Sequence, residues 1–166
     1  MKHILYASDL ENGSRVVLHA AIEQAIQSKG RIYFLHVSEQ FHRGQDETLG
    51  GFRIKKAHDK HLESLKTEIR SYMKQRIHNF VTEELQQSEF DAEQIEVIVT
   101  FGEPAKKIVE VATDIEAKMI VMGDRRVSGL SRLFLGSTAQ KVIHSASTPV
   151  LIVPISNTIK QVEVLR

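Results

Sequence analysis

Residues 118–154 read KMIVMGDRRVSGLSRLFLGSTAQKVIHSASTPVLIVP, and this stretch decides the fold class. It holds two apolar runs of strand length, KMIVMGD and TPVLIVP, separated by a glycine-containing loop and a segment with helical periodicity. Both runs are nearly continuous rather than alternating with polar residues, which is typical of strands buried on both faces of a parallel sheet. The stretch therefore predicts a strand, a helix and a second, parallel strand.

The same alternation extends towards the N-terminus. Three more runs rich in Ile and Val occur upstream: HILYAS at 3–8, RIYFLHVS at 31–38 and IEVIVTFG at 95–102. Segments with helical periodicity separate them. The sequence therefore predicts an α/β domain with a mostly parallel sheet.

Apolar side chains recur at helical spacing in these connecting segments. The first helix is predicted to end near Gly30, and a third helix carries Pro104 in its first turn. A long helix between the second and third strands carries a partly heptad-like stripe, and a crossover helix on the sheet is favoured over a coiled coil. The predicted inward faces are Val16, Val17, Ala20, Ala21 and Ile26 in the first helix, and Leu62, Leu65, Ile69, Tyr72, Ile77, Phe80, Val81 and Leu85 in the long one.

Composition narrows the functional classes. The chain has 166 residues, 42% of them hydrophobic and 26% charged, which suits one globular domain over 1–166. A net charge of +1 gives no general attraction to nucleic acid, and the absence of cysteine excludes disulfides and thiolate metal sites. No apolar run reaches the length of a membrane span, so a cytoplasmic protein is expected.

Ligands of open α/β sheets bind beyond the carboxyl ends of the strands, so the residues at those ends are the candidates for a site. Glycine and two hydroxyl residues at the start of the last helix would offer free backbone N–H groups to an anion, or the hydroxyls would only cap the helix. The candidates are Ala7, Ser8 and Asp9 after the first strand, His36, Val37 and Ser38 after the second, Met122, Gly123, Asp124, Arg125 and Arg126 after the fourth, and Gly136, Ser137 and Thr138 at the last helix.

Two of these groups have competing interpretations. Asp9 would accept from a ribose hydroxyl, or would be a turn residue or the cap of the first helix. The basic residues Arg125, Arg126, Arg132 and Lys141 would contact phosphate, or would form a solvated rim. Asp124 is the one candidate for metal coordination, although pairing with a neighbouring arginine is favoured.

Several familiar signatures are missing. The chain has neither the P-loop pattern nor G-x-G-x-x-G after the first strand. His58 and His61 are i, i+3 neighbours, but without a third ligand in register a solvated helix surface is favoured over a metal site. No aromatic residues interleave with the basic cluster, which gives no support to nucleic-acid binding.

Four motifs together resemble the universal stress protein family: an aspartate after the first strand, LHV in the second, GEPAKKIVEVA, and MIVMGDRR…LGSTAQKVIHSASTPVLIVP. The resemblance covers nearly the whole chain, except an insertion at about 41–59 and a tail at about 156–166. It implies an open, Rossmann-like, five-stranded parallel sheet in the order 3-2-1-4-5, with helices on both faces. It also implies a homodimer through the last core strand, Pro149–Pro154.

In the nucleotide-binding branch of this family the signature is Gly, two residues, Gly, nine residues, Gly, then Ser or Thr. Gly123 and the pair Gly136–Ser137 match it, whereas Arg126 occupies the middle glycine position. By resemblance, Ala7, Ser8 and Asp9 would hold adenine and ribose, and Val37 would contact the base. The phosphates of ATP or AMP, with or without Mg²⁺, would be lined by Met122, Gly123, Arg125, Arg126, Gly136, Ser137 and Thr138.

Arg126 leaves two functions open. If its φ is negative, the guanidinium would clamp phosphate as a charged donor, and the protein would be a dimeric regulator that binds adenine nucleotide without efficient hydrolysis. The alternative is a stress-response interaction module that binds no nucleotide, in which Arg126 fills the vacated pocket. An enzyme of the adenine nucleotide alpha hydrolase type is disfavoured, since ASDLENGS is not the S-G-G-x-D-S-like loop it would need. The regulatory partner is not indicated.

Overall fold

The computed structural model describes residues 2–10, 14–39, 47–49, 52–54, 62–85, 90–125 and 135–155. Within these residues, five strands form a sheet, two short strands form a separate ladder, and four α-helices connect the strands. In chain order the elements are β1 (His3–Ala7), α1 (Arg15–Ser28), β2 (Arg31–Ser38), β3 (Glu47–Leu49), β4 (Phe52–Ile54), α2 (Leu62–Glu84), a 3-10 turn (Ala92–Gln94), β5 (Ile95–Phe101), α3 (Pro104–Asp114), β6 (Ala117–Arg125), α4 (Ser137–Ser145) and β7 (Val150–Ile155).

The large sheet has the order β5-β2-β1-β6-β7, and every pair of neighbouring strands in it is parallel. Its five strands coincide with the five apolar runs of the sequence. Numbered among themselves they stand in the order 3-2-1-4-5, so the predicted fold is confirmed. The short strands β3 and β4 pair antiparallel within the segment predicted as an insertion, and the sequence patterns do not predict this ladder.

Helices cover both faces of the sheet. Successive side chains of a strand point to opposite faces, so Leu5 and Leu35 of β1 and β2 pack with α3 and α4. Ile4 and Phe34 pack with α1 and α2 on the other face. The long helix α2 thus packs on the sheet as predicted. Its buried residues are Leu65, Ile69, Met73, Ile77 and Phe80, of which the predicted stripe omits Met73.

The predicted inner face of α1 is partly wrong. Val16 and Ile26 are 48% and 41% exposed. The buried side of the helix instead carries Leu18 and Ile22 together with three smaller residues spaced four apart. This side faces the sheet because it offers more apolar surface. Its members are Val17, Leu18, Ala21, Ile22 and Ala25.

The end of α1 lies close to Gly30, as expected, but glycine is needed there for another reason than a left-handed turn. Lys29 is the left-handed residue, with φ of 51°. The Gly30 N–H donates to the Ala25 carbonyl, and a Cβ at Gly30 would lie 2.2 Å from the Lys2 carbonyl oxygen. Gly30 therefore permits close approach between the α1–β2 turn and the start of β1.

Candidate functional site

A cavity of about 450 Å³ opens at the carboxyl ends of β1, β2 and β6, beside the N-terminus of α4. These strand ends meet because all three strands are parallel neighbours, so residues distant in sequence come together there. Nine of the eleven residues predicted for the site line the cavity: Ala7, Ser8, Asp9, Val37, Met122, Gly123, Gly136, Ser137 and Thr138. The backbone of Arg125 ends β6, but its side chain and the whole of Arg126 lie outside the described residues.

Ser8 is a buried support for the loop after β1. Its Oγ accepts from the Leu10 N–H at 3.0 Å and from the Tyr6 hydroxyl at 3.5 Å. The single hydrogen of the Tyr6 hydroxyl is shared between this oxygen and the Ser14 carbonyl, at 3.2 Å. Burial raises the pKa of Tyr6 to about 12, so the phenol stays protonated. The Ser8 hydroxyl therefore fixes the shape of the cavity wall. The resemblance predicts a different role for it, which is contact with the ligand.

Asp9 is exposed at the edge of the cavity. It does not cap α1, because the residue preceding that helix is Ser14. The capping interpretation of Asp9 is therefore wrong, and its position at the end of β1 leaves the carboxylate at the cavity mouth.

The N-terminus of α4 faces the cavity. Gly136 is the N-cap residue, with an ordinary φ of −57°, and no side chain of the described residues makes a cap hydrogen bond there. Ser137 and Thr138 are the first helical residues, so the interpretation of their hydroxyls as mere caps is wrong. The N–H groups of a first helical turn have no acceptor within the helix, and together with the helix dipole they favour an anion.

Asp124 adds a negative charge to this end of the cavity. It is buried, lines the cavity, and has its Oδ1 atom 4.0 Å from where a Cβ at Gly136 would stand. Its predicted pairing with a neighbouring arginine falls partly outside the described residues. Lys141 of the predicted basic cluster is not among the residues that line the cavity; its Nζ lies 3.5 Å from Oε1 of Glu103 at the surface.

Two polar residues of β2 also line the cavity; they are candidates by their place at a strand end, but they are not among the eleven residues that the resemblance assigns to the nucleotide. His36 is 3% exposed and Ser38 is 2% exposed. The signal is present in the sequence, because both interrupt an otherwise apolar strand, on the same face as Tyr6 of β1. Of the predicted histidine pair, His58 and His61, neither lies within the described residues.

Comparison with known proteins extends over most of the chain. The family model described as "Universal stress protein family" matches residues 1–154. Universal stress protein YxiE of Bacillus subtilis is 29% identical over 150 residues, which cover 90% of this chain and 97% of that protein. Universal stress protein Sll1388 of Synechocystis is 36% identical over 93 residues, and the match spans 56% of this chain and about half, 55%, of that relative.

Solved structures share the fold. A universal stress protein from Archaeoglobus fulgidus has a TM-score of 0.61 at 24% identity, covering 92% of this chain and 98% of that one. A universal stress protein in complex with cAMP gives 0.58 at 18% identity, with 93% and 98% covered. The Archaeoglobus fulgidus protein in complex with dAMP gives 0.57 at 22% identity, with 92% and 97% covered.

Within the part of the chain that the structure describes, no helix is long and apolar enough to cross a membrane. The family match runs from the first strand into the last and includes every cavity-lining residue except Ile155. The chain belongs to the universal stress protein family.

Proposed function

We propose that this protein is a regulatory protein that binds ATP or a related adenine nucleotide in the cavity at the strand ends. The observation that carries the proposal is the meeting of the β1, β2 and β6 ends with the N-terminus of α4 around one space. A volume of about 450 Å³ lies in the range of small-molecule sites. Two solved members of the family hold adenine nucleotides, cAMP and dAMP.

The ligand would lie across the sheet. Its phosphates would meet the first-turn N–H groups of α4, and its nucleoside would lie against β1 and β2, near Asp9 and Val37. Asp124 would oppose the phosphates unless a cation stood between them. Its carboxylate is the kind of ligand that Mg²⁺ prefers, and Arg125 or Arg126 would supply the alternative positive charge.

We propose binding rather than catalysis. The Tyr6 phenol stays protonated, and the Ser8 hydroxyl accepts two hydrogen bonds within the cavity wall. His36 lies on β2, two strands from β6, and hence about 10 Å from the phosphate end. This distance is too great for His36 to act directly as a base on water attacking a phosphate.

The nucleotide itself tests the function. We expect purified protein to release adenine nucleotide on denaturation, as seen by chromatography, or to give heat with ATP in calorimetry. Arg126→Gly restores the glycine of the family signature. If this variant binds ATP more weakly than wild type, Arg126 contacts the phosphates as a charged donor. If neither protein releases nucleotide or gives heat with ATP, the proposal is wrong. If only Arg126→Gly binds ATP, the result favours the interaction module whose pocket Arg126 fills.

We also propose that the protein forms a homodimer through β7. Among the described residues, β5 and β7 are the two edge strands of the sheet. β5 carries the exposed charge of Glu96, which discourages pairing with another chain, whereas β7 has only apolar residues and proline, with 150–153 half-buried. Sedimentation across a dilution series should give twice the chain mass, and a monomer at every concentration would contradict the proposal.

A further inference from the structure

Leu10, in the loop after β1, has a left-handed backbone with φ of 61°. Bulky side chains rarely adopt this conformation, because it brings Cβ too close to the backbone. Such a residue persists only where surrounding contacts hold it, and outliers of this kind cluster at ligand sites. The contacts that hold Leu10 therefore bear on the neighbouring cavity.

Three contacts hold Leu10. Its side chain is 1% exposed and belongs to the core between the sheet and helices α1 and α2. Its N–H donates to Ser8 Oγ at 3.0 Å, and its carbonyl oxygen accepts from Nη1 of Arg76 at 3.0 Å. The last contact comes from α2, 66 residues further along the chain. Arg76 thus connects α2 directly to the backbone of the loop after β1.

Arg76 is itself held in position. Its side chain is half-buried, and its guanidinium carbon lies 5.7 Å from the centre of the Tyr72 ring, one helical turn earlier. Met73 and Ile77, close to it in α2, are buried in the core and anchor the helix. A guanidinium stays charged, and a hydrogen bond from a charged donor is stronger than one from a neutral donor.

The loop that Arg76 holds forms part of the cavity wall. Ser8 and Asp9 line the cavity, whereas Arg76 and Leu10 line a smaller cavity of about 210 Å³ on the side of α1 and α2. The side chain and the carbonyl of Leu10 are both held, so its φ decides the direction in which the chain reaches it from Asp9. The position of Asp9 at the cavity mouth therefore depends on a contact made on the far side of the loop.

We infer that Arg76 is a positioning residue for the nucleotide site, which holds the loop after β1 in its ligand-binding shape through the Leu10 carbonyl. The inference rests on the proposed function and goes beyond it, because none of the described residues of α2 lines the cavity. A loop that adopts this shape for a smaller fraction of the time binds more weakly by that fraction. Loss of one hydrogen bond corresponds to about three- to tenfold weaker binding.

Arg76→Met tests the inference, because it removes the donor and keeps an unbranched side chain with good helix propensity. Arg70→Met is the matched control: it removes the same charge from an exposed position in the same helix. Calorimetry measures the affinity for ATP, and NMR hydrogen exchange without ATP measures the protection of the Leu10 amide. Melting temperatures check folding. If Arg76→Met does not fold, Arg76→Gln, whose amide is too short to reach the Leu10 carbonyl, takes its place.

We expect Arg76→Met to bind ATP about three- to tenfold more weakly than wild type, and its Leu10 amide to exchange faster by a similar factor. Arg70→Met should match wild type in both measurements. A merely structural role for Arg76 would lower the melting temperature and leave ATP affinity unchanged.

Three results would overturn the inference and leave the proposed function standing. The first is wild-type affinity for ATP in Arg76→Met. The second is weaker binding with unchanged exchange at Leu10, and the third is an equal loss of affinity in Arg70→Met, which would be an effect of charge alone. No heat from ATP in wild-type protein would overturn both.

Discussion

Gly136→Asp is expected to weaken ATP binding at least 100-fold. The new carboxylate would stand at the N-terminus of α4, next to Asp124, whose Oδ1 lies 4.0 Å from the position that a Cβ of residue 136 would take. At about 5 Å from a phosphate and with an effective dielectric constant near 20, one extra negative charge costs about 3 kcal/mol. The carboxylate would also accept hydrogen bonds from the first-turn N–H groups, which would then no longer be available to the phosphates. Calorimetry with ATP measures the loss.

The substitution separates binding from folding. Aspartate is a favourable N-cap residue, so the loss of binding should occur without a comparable loss of stability. Gly136→Ala is the matched control: the φ of −57° suits alanine, and among the described residues its Cβ meets only Asp124 Oδ1, at an ordinary distance. We expect it to bind ATP within about threefold of wild type, since no first-turn N–H group is removed. Wild-type affinity in Gly136→Asp would show that no phosphate lies at α4.

Gly30→Ala is expected to lower the free energy of unfolding by about 3 kcal/mol. A Cβ there would lie 2.2 Å from the Lys2 carbonyl oxygen, a backbone atom that also accepts from the Arg31 N–H at 3.0 Å. No side-chain rotation relieves this clash, so the start of β1 must move away from β2. Urea denaturation of the two proteins gives the difference.

Gly136→Ala again serves as the control, because it makes the same chemical change where there is space. Replacing an N-cap glycine by alanine should cost about 1 kcal/mol or less. Equal stabilities for the two alanine variants would show that the contact between Gly30 and Lys2 is not a constraint on the sheet.

The fold could be predicted because its strands are buried on both faces and appear as continuous apolar runs. Periodicity is less decisive for helices: α1 has apolar residues on two sides, and only packing against the sheet selects Leu18 and Ile22 over Val16 and Ile26. The β3–β4 ladder escapes prediction because three-residue strands carry no period. The adjacent pair Gly50–Gly51 is the one local indication of a hairpin.

The site is predictable to the extent that it follows from topology. Parallel strands bring their carboxyl ends to one edge, and most of the predicted residues meet there for that reason. Side-chain direction is harder to infer. His36 belongs to β2, and its ring is turned towards the loop after β1, where Nδ1 lies 3.0 Å from the Ser8 carbonyl oxygen. The sequence marks this residue by its place near a strand end and as a polar break in an apolar strand, and neither mark gives the direction of its ring.

The cavity is bounded by both helical layers, with Val17 of α1 on one side and Ile108 of α3 and Ala139 of α4 on the other. A molecule bound there would touch two cores that the sheet otherwise keeps apart, so partial unfolding of either core would release it. Binding would then raise the free energy of unfolding of the whole domain, and this increase would grow with the logarithm of the ligand concentration. The lifetime of the folded protein in a cell would thereby follow the supply of its ligand.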